Sequence, residues 1–388
     1  MRRLRTAPLH HLALAAAIIV AVTIGAVGIA QAVGGGPTPP PKPLAEAVYD
    51  AANAPQVQGV TARIRFTNGL LPSGSLPEGS ASPMLTGADG RLWLADDGRL
   101  RLELQSDRGD VQIVSDGTRF RIYDATSHTV YTGALPAREQ DAAKPEPPLT
   151  RSAVSQRLAD LAQTWTFSAP EPGNTAGQPS YTVRISPKDD GGLLGAAEIA
   201  WDAAHGVPLR GALYAQGQKS PVLELTATEI SYGKIPAADL AVAPPQGAKT
   251  VELNPPAGHD SHGNAIEVHG LAAVQQQVGF PVSAPDSLAG LPRKEVSLAR
   301  FGSENGALAT YGQGLGAIYV LEHKTDGQAA QRPPGDLRLP QVNIDGLTGS
   351  ELATALGTVV TFDRNGVSYT VAGSVPPLAA ENAARGLK

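Results

Sequence analysis

His259, Asp260 and His262 lie close together in the chain, with His269 nearby, and imidazole and carboxylate donors at such spacing are what a zinc site uses. Their stretch is rich in Pro and Gly and supplies no rigid element or outer hydrogen-bond partners to orient them, so they read as solvated linker histidines and no metal is expected. Asp96-Asp97 and Asp189-Asp190-Gly191-Gly192 lack the further carboxylates at alternating spacing that a calcium loop needs, and read as hairpin turns. Gly312-Gln313-Gly314-Leu315-Gly316 is the nearest approach to a phosphate cradle. It falls between two strand-like runs with no helix after it, so it reads as a glycine-rich turn. No G-x-S-x-G elbow, H-E-x-x-H pair or P-loop is present, and the absence of cysteine excludes disulfides, thiolate metal sites and a cysteine nucleophile. The expectation is a protein with no catalytic residues and no cofactor, which acts by binding.

Composition narrows the ligand. The 388 residues carry 31 Lys and Arg against 36 Asp and Glu, a net charge of -5 that does not suit a partner built of phosphates. Aromatic residues make up only 5%, too few for platforms that stack on bases or sugars. With 42% hydrophobic residues, 43 Gly and 33 Pro, the chain suits many short strands joined by turns in about two domains.

Arg2, Arg3 and Arg5 precede an apolar run, residues 12–33, in which Thr23 and Gln31 are the only strongly polar side chains. That run is long enough to cross a bilayer, and the charge asymmetry places the body outside the cytoplasm. A signal anchor is expected, with cleavage after Ala32 as the alternative, since Ala30-Gln31-Ala32 is a small-x-small site. Residues 34–43, GGGPTPPPKP, then read as a tether that lifts the body off the membrane.

The body divides into a first domain at residues 44–243, a linker at 244–265 and a small α+β domain at 266–388. Residues 44–54 have helical spacing. From Gly87 onward a meander alternates apolar with charged residues: Leu92 and Leu94, then Leu100, Leu102 and Leu104 against Arg99, Arg101 and Glu103, then Ile113, then Phe120 and Ile122 against Arg119 and Arg121. Such alternation makes half-buried antiparallel strands with one apolar face. Thr150 can cap a helix whose stripe is Val154, Leu158 and Leu161. Strands resume at 181–186, 196–201, 207–215 and 222–232. In the C-terminal domain a helix is expected at 266–278, strands at 295–300, 307–311 and 317–322, a loop at 327–340, a hairpin turning on Asn365-Gly366, and a last helix from Pro376. One amphipathic stripe and one weak helix must cover at least seven strands, so the apolar face is either plain core or the wall of a partly open cavity.

The segments GRLWL, DGRLRLEL and VQIVSDGTRFRIYD, followed later by VPLRGALY and LELTATEISYG, resemble the LolA/RseB superfamily of outer-membrane lipoprotein carriers and sigma-factor regulatory proteins. The resemblance covers residues 44–243 and implies a mainly β, α+β fold: an open curved antiparallel half-barrel wrapped around helices, with a hydrophobic cavity for acyl chains. The ligand-cavity candidates are Leu92, Leu94, Leu100, Leu102, Leu104, Ile113, Phe120, Ile122, Leu158 and Leu161. The expected role is a membrane-tethered carrier or chaperone of lipid or lipoprotein acyl chains at the outer face of the cytoplasmic membrane of a bacterial envelope, secreted if cleaved after Ala32. Alternatives are an RseB-like regulator contacting a membrane protein such as a transmembrane anti-sigma factor and, less favoured, an envelope hydrolase.

Overall fold

The computed structural model describes residues 36–71, 82–107, 109–135, 150–188, 192–253, 268–301, 304–325 and 339–388. Residues 12–33 and the His259, Asp260, His262 group lie outside them, as do Asp189, Asp190 and most of the loop expected at 327–340. No described helix is long and apolar enough to cross a membrane.

The first unit is mainly β. Helix α1 (Leu44–Ala52) leads into β1 (Gly59–Asn68), the single turn α2 (Pro83–Thr86) and a meander of β2 (Ala88–Ala95), β3 (Leu100–Ser106), β4 (Gly109–Ser115), β5 (Arg119–Asp124) and β6 (Thr129–Ala134). Helix α3 (Arg151–Leu161) is followed by β7 (Trp165–Phe167), β8 (Glu171–Thr175), β9 (Gln178–Pro187), β10 (Leu194–Asp202), β11 (Pro208–Ala215) and β12 (Leu223–Tyr232), then α4 (Ala237–Leu240) and β13 (Lys249–Glu252). All thirteen described strands form one sheet in the order β13-β6-β5-β4-β3-β2-β1-β12-β11-β10-β9-β7, with β8 also paired to β9. Its ends, β13 and β7, are not bonded to each other, so the barrel stays open.

Period-2 alternation explains the meander, and Gly98 and Gly117 close two of its turns in left-handed backbone, φ 84 and 92. Strand β1, which the alternation of Val60, Ala62, Ile64 and Phe66 also encodes, joins the two halves by pairing with β2 on one side and β12 on the other. The stretch read as pure linker contributes a strand: Lys249–Glu252 pairs in parallel with β6, while residues 254–265 lie outside the described residues. Backbone bonds from Lys249 to the His128 carbonyl at 3.0 Å and from Leu253 to the Thr132 carbonyl at 2.7 Å hold it there, with Arg119 reaching Glu252 at 3.0 Å and Arg121 donating to the Val242 carbonyl at 2.9 Å beside it.

The helices divide the concave side unevenly. Pro43 caps α1 in extended backbone, Asn53 donates to the Tyr49 carbonyl at its other end, and Ala47 is buried against Tyr181, Val183 and Trp201 of β9 and β10. Thr150 Oγ1 accepts from the Ala153 amide, as its position predicts for a cap. The expected apolar stripe of α3 is only partly used. Val154 is buried, Leu158 is half-buried and Leu161 is 42% exposed, because α3 packs on α1 and Arg151 lies over the Tyr49 ring.

The second unit is an eight-stranded antiparallel sheet in the order β14 (Ser287–Leu288), β15 (Leu291–Phe301), β16 (Glu304–Tyr311), β17 (Ile318–Lys324), β21 (Val367–Gly373), β20 (Gly357–Arg364), β19 (Leu347–Thr354), β18 (Gln341–Ile344). Helices α5 (Leu271–Val278) and α6 (Pro377–Gly386) bury Val274, Val278, Ala380, Ala383 and Ala384 in the same core as Val320, Val360 and Val371. Asn365 and Gly366 both have positive φ, 52 and 76, the primed turn their sequence predicts. A second such turn at Asp345-Gly346 joins β18 to β19, a hairpin that the short polar run concealed. Backbone bonds tie the units together: Leu193 donates to the Ser374 carbonyl at 3.1 Å, and Ala355 to the Leu70 carbonyl at 2.7 Å.

Glu322 projects from β17 into this second core. It is fully buried, one oxygen accepts the Ser283 amide at 2.9 Å, and burial pushes its carboxyl up to about 7. The native state therefore holds a proton that the unfolded chain releases near its ordinary 4.5, so stability is lost as pH rises between those values, on the order of 3 kcal/mol in all. The melting temperature of the second unit is expected to fall from pH 5 to pH 8 in the full chain, and Glu322→Gln to flatten that dependence. Calorimetry across the pH range checks both.

Candidate functional site: the concave face

Strand register places the candidate residues in ladders that run across the sheet. Ala62, Leu92, Leu102, Ile113 and Ile122 stand opposite one another on β1 to β5. A neighbouring ladder runs Val60, Leu94, Leu100, Ser115, Phe120, Gly133, and another Ile64, Gly90, Leu104, Val111. Since side chains alternate faces with period 2, all of these share the concave side. Gly90 lets the sheet close up, because a Cβ there would lie 2.1 Å from the Glu103 carbonyl oxygen. Gly133 accepts the Phe120 ring, whose edge would meet a Cβ at 2.8 Å.

Leu92, Leu100, Leu102, Leu104 and Ile113 are buried in a single cluster, with Leu94 and Ile122 half-buried against it. Phe120 is half-buried at the end of its ladder, outside that cluster. Leu158 and Leu161 do not join: they sit on α3, over α1, and α1 covers β9 and β10 rather than the meander. The members that sequence reasoning missed are Val60, Ala62, Ile64 and Phe66 of β1 and Leu225 and Ala227 of β12. Their signal was available in GVTARIRF, four small or apolar residues at every second position. The helix seated on β1, β3 and β4 is α2, one turn long, which contributes Met84. From the other half of the sheet, Ala176 at the β8–β9 turn and Val207 at the end of the β10–β11 turn pack onto the cluster, so the sheet curls far enough for its rim to touch the meander.

Charge is kept to the outer face and the rim. On the convex side Arg101 lies over the Trp93 ring at 4.7 Å, pairs with Glu103 and donates to the Asp239 carbonyl at 2.8 Å, so the 233–253 segment straps the outside. Glu198 accepts from Arg184 at 2.7 Å, Arg210 at 2.6 Å and the Tyr214 hydroxyl at 2.7 Å. Burial pushes that carboxyl up, but the three donors outweigh it and leave it below the ordinary carboxylate range.

At the rim, fully buried Asp202 collects the Ala204 amide at 2.7 Å, the His205 amide and Nδ1 at 3.1 Å each, and the Tyr232 hydroxyl at 2.5 Å. Burial pushes Asp202 up, yet the Tyr232 hydroxyl and the turn donors hold it low. Burial and the adjoining carboxylate push Tyr232 up. The pair fastens the β10–β11 turn to the end of β12, with the His205 and Tyr232 rings 4.4 Å apart. Gly206 in that turn approaches α1 so closely that a Cβ would lie 2.1 Å from the Ala51 carbonyl oxygen.

The polar candidates from the sequence have local partners. Asp97 accepts the Arg99 amide at 3.1 Å and its Nε at 2.7 Å as a turn residue, and His269 lies 2.6 Å from Glu295. Gly314–Gly316 is a short 3-10 turn between β16 and β17. Among the described residues no group of three His, Asp or Glu side chains converges on a metal position. The arrangement is an apolar face across β1 to β5 with the charged side chains of those strands on the opposite side.

The open antiparallel sheet curled around α1 is the mainly β half-barrel that the sequence led us to expect. No family model and no curated protein matches the chain. Among solved structures it is similar to MucB in complex with MucA(peri), at 15% identity and a TM-score of 0.40 over 88% of this chain and 96% of that one. It is similar to MucB alone at 17% and 0.37, over 87% and 95%. It is also similar to a putative outer membrane lipoprotein-sorting protein domain from Vibrio parahaemolyticus at 10% and 0.19, over 50% and 95%.

Asp202→Asn keeps the shape of the rim clasp but replaces an oxygen that accepts with a nitrogen that must donate. A loss of ~1–3 kcal/mol in urea denaturation is expected, the cost of leaving a buried donor unmatched. A variant within 0.3 kcal/mol of wild type would show that the clasp adds nothing to the fold.

Proposed function

We propose that the protein is an extracytoplasmic binding protein, held at the membrane by residues 12–33, that takes an acyl chain of a lipid or lipoprotein against its concave face. The observation that carries this reading is the mismatch between the apolar ladders, which cross five strands, and the helix seated on them, α2, which is a single turn. Ala176 and Val207 from the other half of the sheet complete the cover of that face and leave Leu92, Leu102 and Leu104 buried, so an acyl chain enters by displacing that contact. Each methylene transferred from water contributes about 0.8 kcal/mol, so a chain of about sixteen carbons gives ~13 kcal/mol before an association cost of ~4–15 kcal/mol. Ladders of branched aliphatic side chains without a fixed donor suit a flexible hydrocarbon better than a rigid polar ligand.

A regulatory role is the second reading, in which the second unit reports occupancy of the face. The backbone bonds at Leu193 and Ala355 favour it, because they couple the two sheets directly. A membrane protein captured by the full chain but not by residues 36–253 would favour regulation over carriage.

Binding of a fluorescent fatty acid and thermal melting, measured on the same sample, test the binding reading. Wild type is expected to bind at micromolar concentration, Leu102→Ala and Ile122→Ala to weaken binding about tenfold, and Leu161→Ala on α3 to leave it unchanged. If folded wild type binds no acyl probe, or Leu102→Ala lowers the melting temperature without touching affinity, the concave face is ordinary core and the reading fails.

A further inference from the structure

Residues 36–43 do not form the free spacer that their composition suggests. Prolines have no amide hydrogen, so a Pro-rich strand can bind a protein surface only through its carbonyls and side chains. Asn174 on β8 donates to the Pro37 carbonyl at 3.1 Å, the Tyr181 hydroxyl on β9 to the Pro40 carbonyl at 2.6 Å, and Lys42 reaches Asp50 of α1 at 2.5 Å. Gly36 is pressed against Asn174, where a Cβ would lie 2.4 Å from its side-chain nitrogen. The segment is a strap fixed along the β8–β9 edge, and Pro43 then caps α1.

This fixation shortens the spacer. Only Gly34 and Gly35 separate Val33, the last residue of the apolar run, from the docked Gly36. Three peptide steps reach at most ~10 Å, whereas ten free residues would reach ~35 Å. The polar layer on each side of the bilayer hydrocarbon is itself ~5–8 Å thick. The adjoining β8–β9 turn carries Ala176, which packs on the concave cluster.

We propose that the β8–β9 edge is a membrane-apposed surface: the docked strap holds the rim of the concave face at the lipid headgroups, so that the partner of this edge is the bilayer itself. The proposal rests on the reading of residues 12–33 as an anchor. It places the apolar face within reach of lipid without a long passage through water, and it orients the molecule. Gln178 begins β9 at this rim, and Lys188 lies just past its other end, ~33 Å away by strand rise.

The absence of cysteine makes single-site labelling clean. Full-length Gln178→Cys and Lys188→Cys, each carrying an environment-sensitive fluorophore, would be reconstituted in phosphatidylcholine and phosphatidylglycerol vesicles containing a headgroup-quencher lipid. Flotation of the vesicles is measured first, and a chain that does not co-float removes the anchor reading and this proposal with it. For a chain that co-floats, the Gln178 probe is expected to be quenched at least about threefold more than the Lys188 probe. Asn174→Ala combined with Tyr181→Phe, confirmed as folded by its melt, should erase the difference by freeing the strap. Equal quenching of the two probes in the co-floating wild type, or a difference that survives release of the strap, overturns the proposal and leaves the anchor standing.

Discussion

The pairing of β1 with β12 is the contact on which the first unit depends. Nine residues of β1 face partners about 160 positions later in the chain, and without them β2 to β6 and β9 to β11 would be two separate meanders. The register shifts between Arg63 and Ile64, so one strand carries an extra residue at the middle of the sheet. A bulge adds local twist and bends the ladder. Its position at the seam suits it to curling one half towards the other, which is what lets Ala176 and Val207 reach the cluster on the meander. A pairing so distant in sequence forms only after costly loop closure, so both meanders are expected to take shape before the seam joins them.

Once the sheet curls, electrostatics decides which side faces inward. The ladders between β1 and β5 are almost wholly aliphatic, whereas the opposite side carries Arg63 with Glu229, Arg65 with Asp89, and Arg101 with Glu103. Exposed pairs such as the first two contribute little to stability. Their effect is on orientation, since turning the sheet over would bury them at several kcal/mol each. The half-buried group around Glu198 differs, because Arg210 sits between Glu198 and Glu224 while Tyr214 donates to Glu198. Removing one member would strand the others, so this group favours one register of β10, β11 and β12 over a slipped one.

How much of this was legible depended on whether the information was local. The meander could be read because Leu and Arg alternate and Asp-Gly punctuates them, both of which act within a few residues. Strand β1 escaped because its alternation includes Ala62, and its importance comes from two partners far away in the chain. The Val154, Leu158, Leu161 stripe was a true helical periodicity with a misjudged partner. Periodicity states that a face exists, and tertiary packing decides what meets it, here α1 instead of the sheet. The β18–β19 hairpin was hidden by the polar residues of an edge, where burial is incomplete and alternation is weak. The Asp202 clasp had no sequence signal at all, since Tyr232 lies 30 positions from Asp202 and the two meet only after the sheet has formed.

The strap shows why composition misleads about segments beside a folded surface. Pro-rich sequence describes the chain in isolation: stiff, extended and unable to donate through its backbone. Those same properties make it cheap to dock, because little conformational entropy remains to be lost and the carbonyls are already turned outward. A surface needs only to offer donors at the right spacing, and Asn174 and Tyr181 do so on neighbouring strands. The strands that receive the strap also hold α1 and carry the turn that touches the concave cluster. The route of the chain into the body, the seat of its first helix and the edge of its apolar face are therefore one connected structure. A change at the β8–β9 edge would alter all three together.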